Sequence, residues 1–322
     1  MLTCANARRH VCGVKQLLSN IVQVTNGKGG VGKTALTANL AGLMARSGWQ
    51  VLAVDLDPQE GNLARELGVL DRADGGANLR EAVRGKEELE PMVGVRDRLD
   101  LVAGGPELLA MGSDLAAFAA RGEDPYGRLE RALRSVADRY HVILVDSPPG
   151  EASLQVLAGR AAHYLLVPTT VDDAGIDGLA TVFERYASLR AGANPDLEVL
   201  GVVITLAQRS AKALLGEARA EIDAVVAGGG VKVFDSVIPF VQGPAVRARR
   251  AGLLAHEYEE TAVVAAKTRF ERLRKKKPGG ETVASAESSS GLAGDYAALG
   301  VEVAEAYKSA QANYAASGGD GR

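Results

Sequence analysis

A glycine-rich segment with two lysines is the strongest chemical signal in the sequence. Residues 27–34 fit the spacing of a phosphate-binding loop: a glycine, four further residues, a second glycine, then a lysine and a threonine. The glycines allow successive backbone N–H groups to point inward at phosphate oxygens. Lys33 is expected to reach the β- and γ-phosphates of a nucleotide, and the Thr34 hydroxyl to bind Mg²⁺. The predicted nucleotide-binding residues of this loop are Gly27, Lys28, Gly29, Gly30, Val31, Gly32, Lys33 and Thr34.

Carboxylates at the ends of two apolar segments could complete a metal site. Asp146 follows the segment 141–145 and precedes Ser-Pro-Pro-Gly, where an aspartate would hold Mg²⁺ through water. Asp55 ends a second apolar segment, and Asp57 follows two residues later. On a continuing strand the two carboxylates would share one face; past the strand end the turn sets their direction, so both could still reach the metal and water side. The alternatives are a turn or helix cap at Asp146 and a plain turn former at Asp57.

Short apolar runs that alternate with longer amphipathic ones must position these residues, and this alternation is typical of βαβ units. The predicted strands are 21–25, 51–55, 99–103, 141–146, 163–168, 197–205 and 231–239. The predicted helices include 34–46, 125–140, 175–190 and 211–226. We therefore predict an α/β fold, a doubly wound, mostly parallel sheet flanked by helices. The strand before the glycine-rich loop and the helix after it favour phosphate binding over a turn that binds nothing.

Three short motifs occur in the order typical of one protein family. Residues 28–34, the Val-Asp-Leu-Asp-Pro-Gln of 54–59 and the Asp-Ser-Pro-Pro-Gly of 146–150 resemble the deviant phosphate loop and the second and third motifs of the ParA/MinD ATPases. The resemblance covers about residues 20–256 and returns at 295–305. Within that family of phosphate-loop NTPases the sequence is most like the ParA-type partition ATPases.

The resemblance implies an ATPase that uses ATP and Mg²⁺ and has weak intrinsic activity. Two subunits of this family sandwich two ATP molecules, so an ATP-dependent homodimer is expected. Lys28 stands at the position of the family's signature lysine, which crosses to the partner's phosphates and adds charge where it develops. Asp57 would position or activate the attacking water. Lys28, Lys33 and Asp57 are therefore expected to be catalytic, and Thr34, Asp55 and Asp146 to bind Mg²⁺.

Two later segments resemble the late strands of the family. Residues 201–205 and 237–239 carry this likeness, which implies Thr205 and Pro239 as nucleotide-binding residues. Many partition ATPases have an arginine after the proline, whereas this chain has Phe240, so their DNA contacts do not carry over directly. The candidate DNA contacts are Arg209, Arg247, Arg249 and Arg250.

Positive charge is concentrated late in the chain. Residues 240–280 hold ten basic and four acidic side chains, a net charge of +6, although the whole chain carries −3. This asymmetry suits contacts with the phosphate backbone of DNA, which depend on salt and not on base sequence. The alternative is a solvated basic face.

The resemblance, together with the concentration of positive charge, implies a ParA-type partition ATPase. It would bind nonspecific DNA and position or segregate plasmid, chromosome or other cargo with a centromere-binding, ParB-like protein that stimulates hydrolysis. A MinD-like positioning ATPase and a metabolic phosphate-loop enzyme stay open as alternatives. Residues 311–322 lack the basic amphipathic helix of MinD-like proteins, so we expect a cytoplasmic, nucleoid-associated protein and no membrane binding. Iron–sulfur relatives are excluded because the two cysteines, Cys4 and Cys12, precede the first strand.

The predicted organisation has four parts. Residues 1–20 form an N-terminal tail, 21–258 the ATPase domain, 259–292 a basic helix with a disordered insertion, and 293–322 a helix returning to the domain and a flexible tail. Larger plasmid partition ATPases carry an N-terminal helix-turn-helix domain. Twenty residues before the first strand leave no room for one, so we expect no autorepression at an operator.

Overall fold

Eight strands form a single sheet in this computed structural model, which describes residues 19–59, 61–208, 210–226, 230–275 and 291–316. The strands are β1 (Ile21–Val24), β2 (Val51–Asp55), β3 (Met92–Arg96), β4 (Leu99–Val102), β5 (Val142–Asp146), β6 (Tyr164–Thr169), β7 (Glu198–Ala207) and β8 (Val233–Pro239). Their order across the sheet is β3-β4-β2-β5-β1-β6-β7-β8, and β3 alone runs antiparallel to its neighbour. β1 therefore lies in the interior, between β5 and β6.

Helices cover both faces of the sheet. They are α1 (Lys33–Arg46), α2 (Asn62–Glu66), α3 (Ala77–Arg84), α4 (Met111–Ala120), α5 (Arg128–Arg134), α6 (Ala152–Ala161), α7 (Asp173–Ala191), α8 (Lys212–Val226), α9 (Gln242–Ala251), α10 (Ala255–Lys275) and α11 (Leu292–Ala316). Side chains of α3 to α8 share one apolar core, and those of α1, α2 and α11 share the other. The doubly wound parallel sheet predicted from the sequence is confirmed.

The central strands are buried on both faces because alternate residues enter the two cores. In β2, Leu52 and Val54 pack with α3 and α5, whereas Val51 and Ala53 pack with α1. Burying apolar surface stabilises the fold by roughly 25 cal/mol per Å². A strand buried in this way reads as a continuous apolar run, which explains why the central strands were predicted.

One strand was missed, and one helix prediction was wrong. The hairpin strand β3 was not predicted, because its sequence has a glycine at its centre and Val93 is 67% exposed, so it lacks the alternation of a half-buried strand. The helix predicted at 125–140 is shorter: α5 ends at Arg134, and a separate 3₁₀ turn follows at Ala137–Arg139.

The predicted boundary of the ATPase domain at 258 falls inside a helix, because α10 begins at Ala255. Residues 1–18 of the predicted tail and residues 276–290 of the predicted insertion lie outside the described residues.

The last helix returns to the sheet, next to α1. The Tyr307 hydroxyl of α11 donates a hydrogen bond of 2.8 Å to the carbonyl oxygen of His141, just before β5. Its ring lies 5.6 Å from the ring of Tyr164 and 5.6 Å from that of Trp49, centroid to centroid. Leu299 and Val303 on the same helix are buried. Glu302 of the same helix accepts the backbone N–H groups of Asp235 and Ser236 in β8, so α11 is held across the β6–β8 side of the sheet.

Two glycines bring α9 close to α2. Gly68, which follows α2, and Gly252, which ends α9, both have positive φ angles, of 67° and 63°. A Cβ atom on Gly252 would lie 2.3 Å from the Cα atom of Gly68, so neither position has room for a side chain. Arg96 strengthens this corner by a two-pronged ion pair with Glu257 of α10, at 2.6 and 3.0 Å.

Candidate active site

The glycine-rich loop connects β1 to α1 and has the backbone shape of a phosphate cradle. Gly30 and Gly32 have φ angles of 76° and 80°, a region that side chains disfavour. α1 then begins at Lys33, so its free N–H groups and positive dipole end face the loop. Thr205 is predicted as a nucleotide contact, and its hydroxyl lies 2.8 Å from the carbonyl oxygen of Val31 and 3.0 Å from that of Thr169, so it shares its one proton between these two acceptors. Thr205 therefore connects the backbone of the glycine-rich loop to β6 and β7.

Lys33 is turned back into the loop. Its side-chain ammonium donates a hydrogen bond of 3.0 Å to the carbonyl oxygen of Lys28. Burial lowers its pKa, and the charges of Asp146 and Asp57 oppose this effect. The ammonium thus lies between the backbone of the loop and two carboxylates, which is where a phosphate chain would be neutralised.

Asp55 and Asp146 occupy equivalent positions at the ends of neighbouring strands. They are register partners of β2 and β5, and both are buried. Asp55 accepts backbone N–H groups of Asp57 at 2.9 Å and Leu63 at 3.1 Å. Burial outweighs these hydrogen bonds and raises the pKa of Asp55 to about 7.

Asp146 has the properties of a metal-side carboxylate. Burial raises its pKa well above the ordinary range, with the charge of Asp55 adding to the effect. The Thr34 hydroxyl hydrogen-bonds this carboxylate, yet the buried Oδ1 atom has no hydrogen-bond partner. A buried carboxylate oxygen without a partner is costly, and a hard cation held with water would satisfy it. Thr34, Asp55 and Asp146 therefore fit the Mg²⁺ that the sequence predicts.

Asp57 lies next to this pair at the edge of the site and is 6% exposed. Its Oδ1 atom accepts the backbone N–H of Gln59 at 2.9 Å, and its Oδ2 atom accepts Nδ2 of Asn62 at 3.3 Å. Gly104, after β4, presses against the same turn: a Cβ atom there would lie 2.7 Å from the Asp55 carbonyl oxygen and 2.9 Å from that of Asp57. The Asp57 side chain is held on two sides.

Lys28 has different surroundings from Lys33, although both belong to one loop. Its ammonium lies 2.8 Å from both carboxylate oxygens of Asp172, which precedes α7. The two side chains are 27% and 61% exposed. Asp172 has a pKa of about 2, chiefly because Lys28 and then the Thr170 hydroxyl hydrogen-bond its charged form. Lys28 therefore stands at the surface of the site, held within its own chain.

Four residues that contact the site were not recognised from the sequence. Asn26 is buried and uses its side chain to accept the Lys28 N–H at 2.8 Å and to donate to the Pro168 carbonyl at 2.7 Å. Its place directly before the loop was an available signal. Gly104 follows β4 and Asp172 follows β6. Because ligands bind at the carboxyl ends of parallel strands, the sequence could have indicated these two. Asn62 follows the second motif.

The basic residues of α9 point in different directions. Arg247 and Arg250 are exposed, and Arg247 donates Nε to the Tyr258 hydroxyl at 3.0 Å. The guanidinium of Arg249 instead contacts Asn62 and Glu66 of α2. Arg209, the fourth candidate, lies outside the described residues.

Pro239, predicted as a nucleotide-binding residue, is buried at the end of β8, beside Ala207 of β7. It therefore lies at the carboxyl end of an edge strand, two strands away from β6. None of the described helices is long and apolar enough to cross a lipid bilayer.

The sheet order, the loop after β1 and the carboxylates after β2 and β5 define a phosphate-loop nucleotide-binding protein. A family profile described as an AAA domain matches residues 19–199. The chain is 36% identical over 219 residues to the chromosome-partitioning ATPase Soj of Thermus thermophilus, a match that covers 68% of this chain and 80% of that protein. It is 32% identical over 226 residues to the chromosome partitioning protein ParA of Caulobacter vibrioides, with the same coverage of 68% and 80%.

Solved structures share the same fold. An ATP complex of a McdA variant from Cyanothece superposes with a TM-score of 0.64 at 22% identity, covering 83% of this chain and 100% of that one. The Mg-ADP complex of the septum site-determining protein MinD from Pyrococcus horikoshii gives 0.60 at 21% identity, covering 88% and 95%. The chain belongs to the ParA/MinD family of phosphate-loop ATPases.

Proposed function

We propose that this protein is an ATP-driven dimerising switch of the partition type, with weak intrinsic ATPase activity. The observation that carries the proposal is the contrast between two lysines of one loop. Lys33 is turned into the cradle, whereas the Lys28 ammonium lies outside it at the protein surface. In an ATP dimer, such a second cation at the surface of one phosphate site would serve the nucleotide held by the other subunit.

The residues of the site fit MgATP. Lys33 and the loop amides would hold the phosphates, while Thr34, Asp55 and Asp146 would hold the metal ion. When bound, Mg²⁺ neutralises charge that develops on the transferred phosphoryl group. Asp57 would orient the attacking water, and the hydrogen bonds from the Gln59 N–H and the Asn62 amide, which fix its carboxylate, support this role. Lys28 of one subunit would then add positive charge at the phosphates of the other.

The relatives support a role in partition, because Soj and ParA are named for chromosome partitioning. We propose that the ATP dimer binds nonspecific DNA through the exposed Arg247 and Arg250 of α9 and through Arg209. A ParB-like, centromere-binding protein would stimulate hydrolysis and release the dimer, in the cytoplasm over the nucleoid. The cargo, whether plasmid, chromosome or another body, would follow this cycle.

Two lysine variants test the switch. Lys33→Ala should abolish tight MgATP binding, because it removes the cation inside the cradle. Lys28→Ala should bind MgATP normally but lose hydrolysis and ATP-dependent dimerisation, measured by phosphate release and light scattering. Lys86→Ala, which removes a surface lysine 3.7 Å from Glu81, is the matched control. Hydrolysis at the wild-type rate in Lys28→Ala would refute the dimer proposal.

DNA binding needs a separate test with charge-matched variants. Arg247→Ala/Arg250→Ala should weaken ATP-dependent binding to arbitrary duplex DNA, and the slope of log affinity against log salt should become smaller by about one for each DNA phosphate that the variant no longer neutralises. Arg121→Ala/Arg131→Ala removes the same charge from the α4 and α5 side of the sheet and should have little effect. Equal DNA binding with and without ATP would contradict the proposal, and ATP-dependent binding to anionic liposomes would favour a MinD-like role.

A further inference from the structure

A chain of polar side chains connects Asp57 to helix α9. Oδ2 of Asp57 accepts Nδ2 of Asn62 at 3.3 Å, and Oδ1 of Asn62 accepts Nη2 of Arg249 at 3.0 Å. Nη1 of Arg249 lies 3.1 Å from Oε1 of Glu66. Asn62 and Glu66 are the first and last residues of α2, and Arg249 lies in the last turn of α9.

The chemistry of these groups fixes the orientation of the Asn62 amide. A carboxylate only accepts hydrogen bonds and a guanidinium only donates them. The amide therefore satisfies both neighbours in one orientation, with its NH₂ group facing Asp57 and its oxygen facing Arg249. Without Arg249 the amide oxygen of Asn62 loses its donor. Nothing at the α9 end then disfavours the flipped amide, in which the oxygen would face the Asp57 carboxylate.

Arg249 is itself held in place. Glu66 is 10% exposed, and its carboxylate faces the guanidinium, whose side chain is 40% exposed. Burial raises the pKa of Glu66, and the charge of Arg249 opposes that effect. The contact between Gly68 and Gly252 fixes the end of α9 against the residue that follows α2. Arg249 therefore has both a charged partner and a fixed backbone.

We propose that Arg249 is a positioning residue: through Asn62 it holds Asp57 in the orientation that hydrolysis requires, and helix α9 thereby controls the hydrolysis rate. The inference rests on the proposed role of Asp57 toward the attacking water. It assigns Arg249 a function different from the DNA contact that the sequence indicated. Arg247 and Arg250, on the exposed side of the same helix, keep that assignment.

Unfolding without nucleotide tests the contact itself. Asn62→Ala and Arg249→Ala should each lower Tm, and the double variant should show a smaller shift than the sum of the two, because each substitution already removes the shared interaction. Arg46→Ala breaks a surface ion pair with Glu260 at 2.6 Å and should add independently to Asn62→Ala. Fully additive shifts for Asn62 and Arg249 would overturn the inference.

Steady-state ATP hydrolysis without DNA tests the effect on Asp57. Arg249→Ala and Asn62→Ala should each lower kcat on the order of tenfold, the size typical for supporting residues around a reactive group, with KM for MgATP unchanged. The double variant should be no slower than either single one. Arg249→Lys should recover part of the rate, because an ammonium can still donate to Asn62. Wild-type kcat in Arg249→Ala would overturn the inference.

The competing assignment of Arg249 gives a different result. If Arg249 were a DNA contact, Arg249→Ala would lose ATP-dependent DNA binding and keep its DNA-free kcat, and that outcome would also overturn the inference. We expect the reverse, with DNA binding retained and kcat lowered. If the wild-type protein did not hydrolyse ATP, the proposed ATPase function would be contradicted instead. The Tm values of the two single variants and the double variant, measured without nucleotide, would still decide whether Arg249 and Asn62 are coupled.

Discussion

The ammonium of Lys28 has a partner in its own chain, and any role in a second subunit requires that it leave Asp172. The pair is exposed, so solvent screens it and its contribution is small, about 0.2–1 kcal/mol. Asp172 has a pKa of about 2, below that of an unfolded chain. The stabilisation from the pair is therefore present above about pH 4 and disappears as the pH falls toward 2. Changes of pH between 6 and 8 do not release Lys28.

Asp172→Asn should release Lys28 without disturbing α7. The asparagine can still accept the Gly175 N–H that Asp172 accepts at 2.9 Å, since both residues are good helix N-caps. Removal of the intrachain pair should strengthen ATP-dependent dimerisation about two- to fivefold, which corresponds to the small energy of an exposed pair. Sedimentation velocity with ATP would measure this change.

Asp173→Asn is the matched control for that experiment, because it removes the same charge from the adjacent, exposed position. It should leave the dimer affinity close to that of the wild type. An equal gain in both variants would show that net charge, and not the freedom of Lys28, controls assembly.

Most of the site could be predicted at the residue scale, for a physical reason. Asp55 and Asp146 follow apolar runs, and parallel strands bring their carboxyl ends to one edge, so their meeting follows from the sequence pattern. The link between Asn62 and Arg249 spans 187 residues and depends on the approach of two helices. No local pattern encodes that approach, which is why Arg249 was assigned to DNA alone.

At the scale of elements, the contact between α2 and α9 leaves no space at its two glycines. Gly252→Ala should destabilise the protein by about 2–3 kcal/mol, since it adds a backbone clash to the roughly 1 kcal/mol cost of a side chain at positive φ. Because α9 must shift away from α2, kcat should fall as well. Thermal unfolding and ATP hydrolysis are the measurements.

Gly122→Ala provides the comparison for this substitution. Gly122 has a φ angle of 74°, yet no atom lies within 4 Å of the Cβ position. It should therefore show the backbone cost of about 1 kcal/mol without a change in kcat. Equal decreases of stability at the two glycines would argue against the close contact.

The docking of α11 near β6 should make stability depend on pH. Burial lowers the pKa of His163, whose ring lies 4.5 Å from that of Tyr314. As the pH falls below about 6.5 the unfolded chain binds a proton that the native state resists, so stability decreases, by at most about 1.4 kcal/mol per pH unit for this group. His163→Phe should flatten the dependence of urea unfolding on pH between 7 and 5. An unchanged slope would exclude His163 as its source.

At the scale of the whole molecule, the sequence predicts every strand of the sheet except β3, which forms one of its two edges. The interior strands are continuous apolar runs bounded by glycine and proline, whereas β3 is exposed and its pairing with β4 depends on a tight turn at Arg98, with φ of 58°. The return of α11 was predicted near 293–310, but its anchoring residues were not. Tyr307 contacts residues far away in the chain, and only the folded sheet brings them together.

Trp49 is the only tryptophan among the 322 residues, and in the folded chain its ring lies 5.6 Å from Tyr307 with the Lys308 ammonium 5.5 Å from its centroid. Intrinsic fluorescence excited at the red edge therefore comes from one location, the contact between the end of α1 and α11. A change in that emission reports whether the C-terminal helix is docked. The emission spectrum can thus follow detachment of this helix as an event separate from nucleotide binding at the loop.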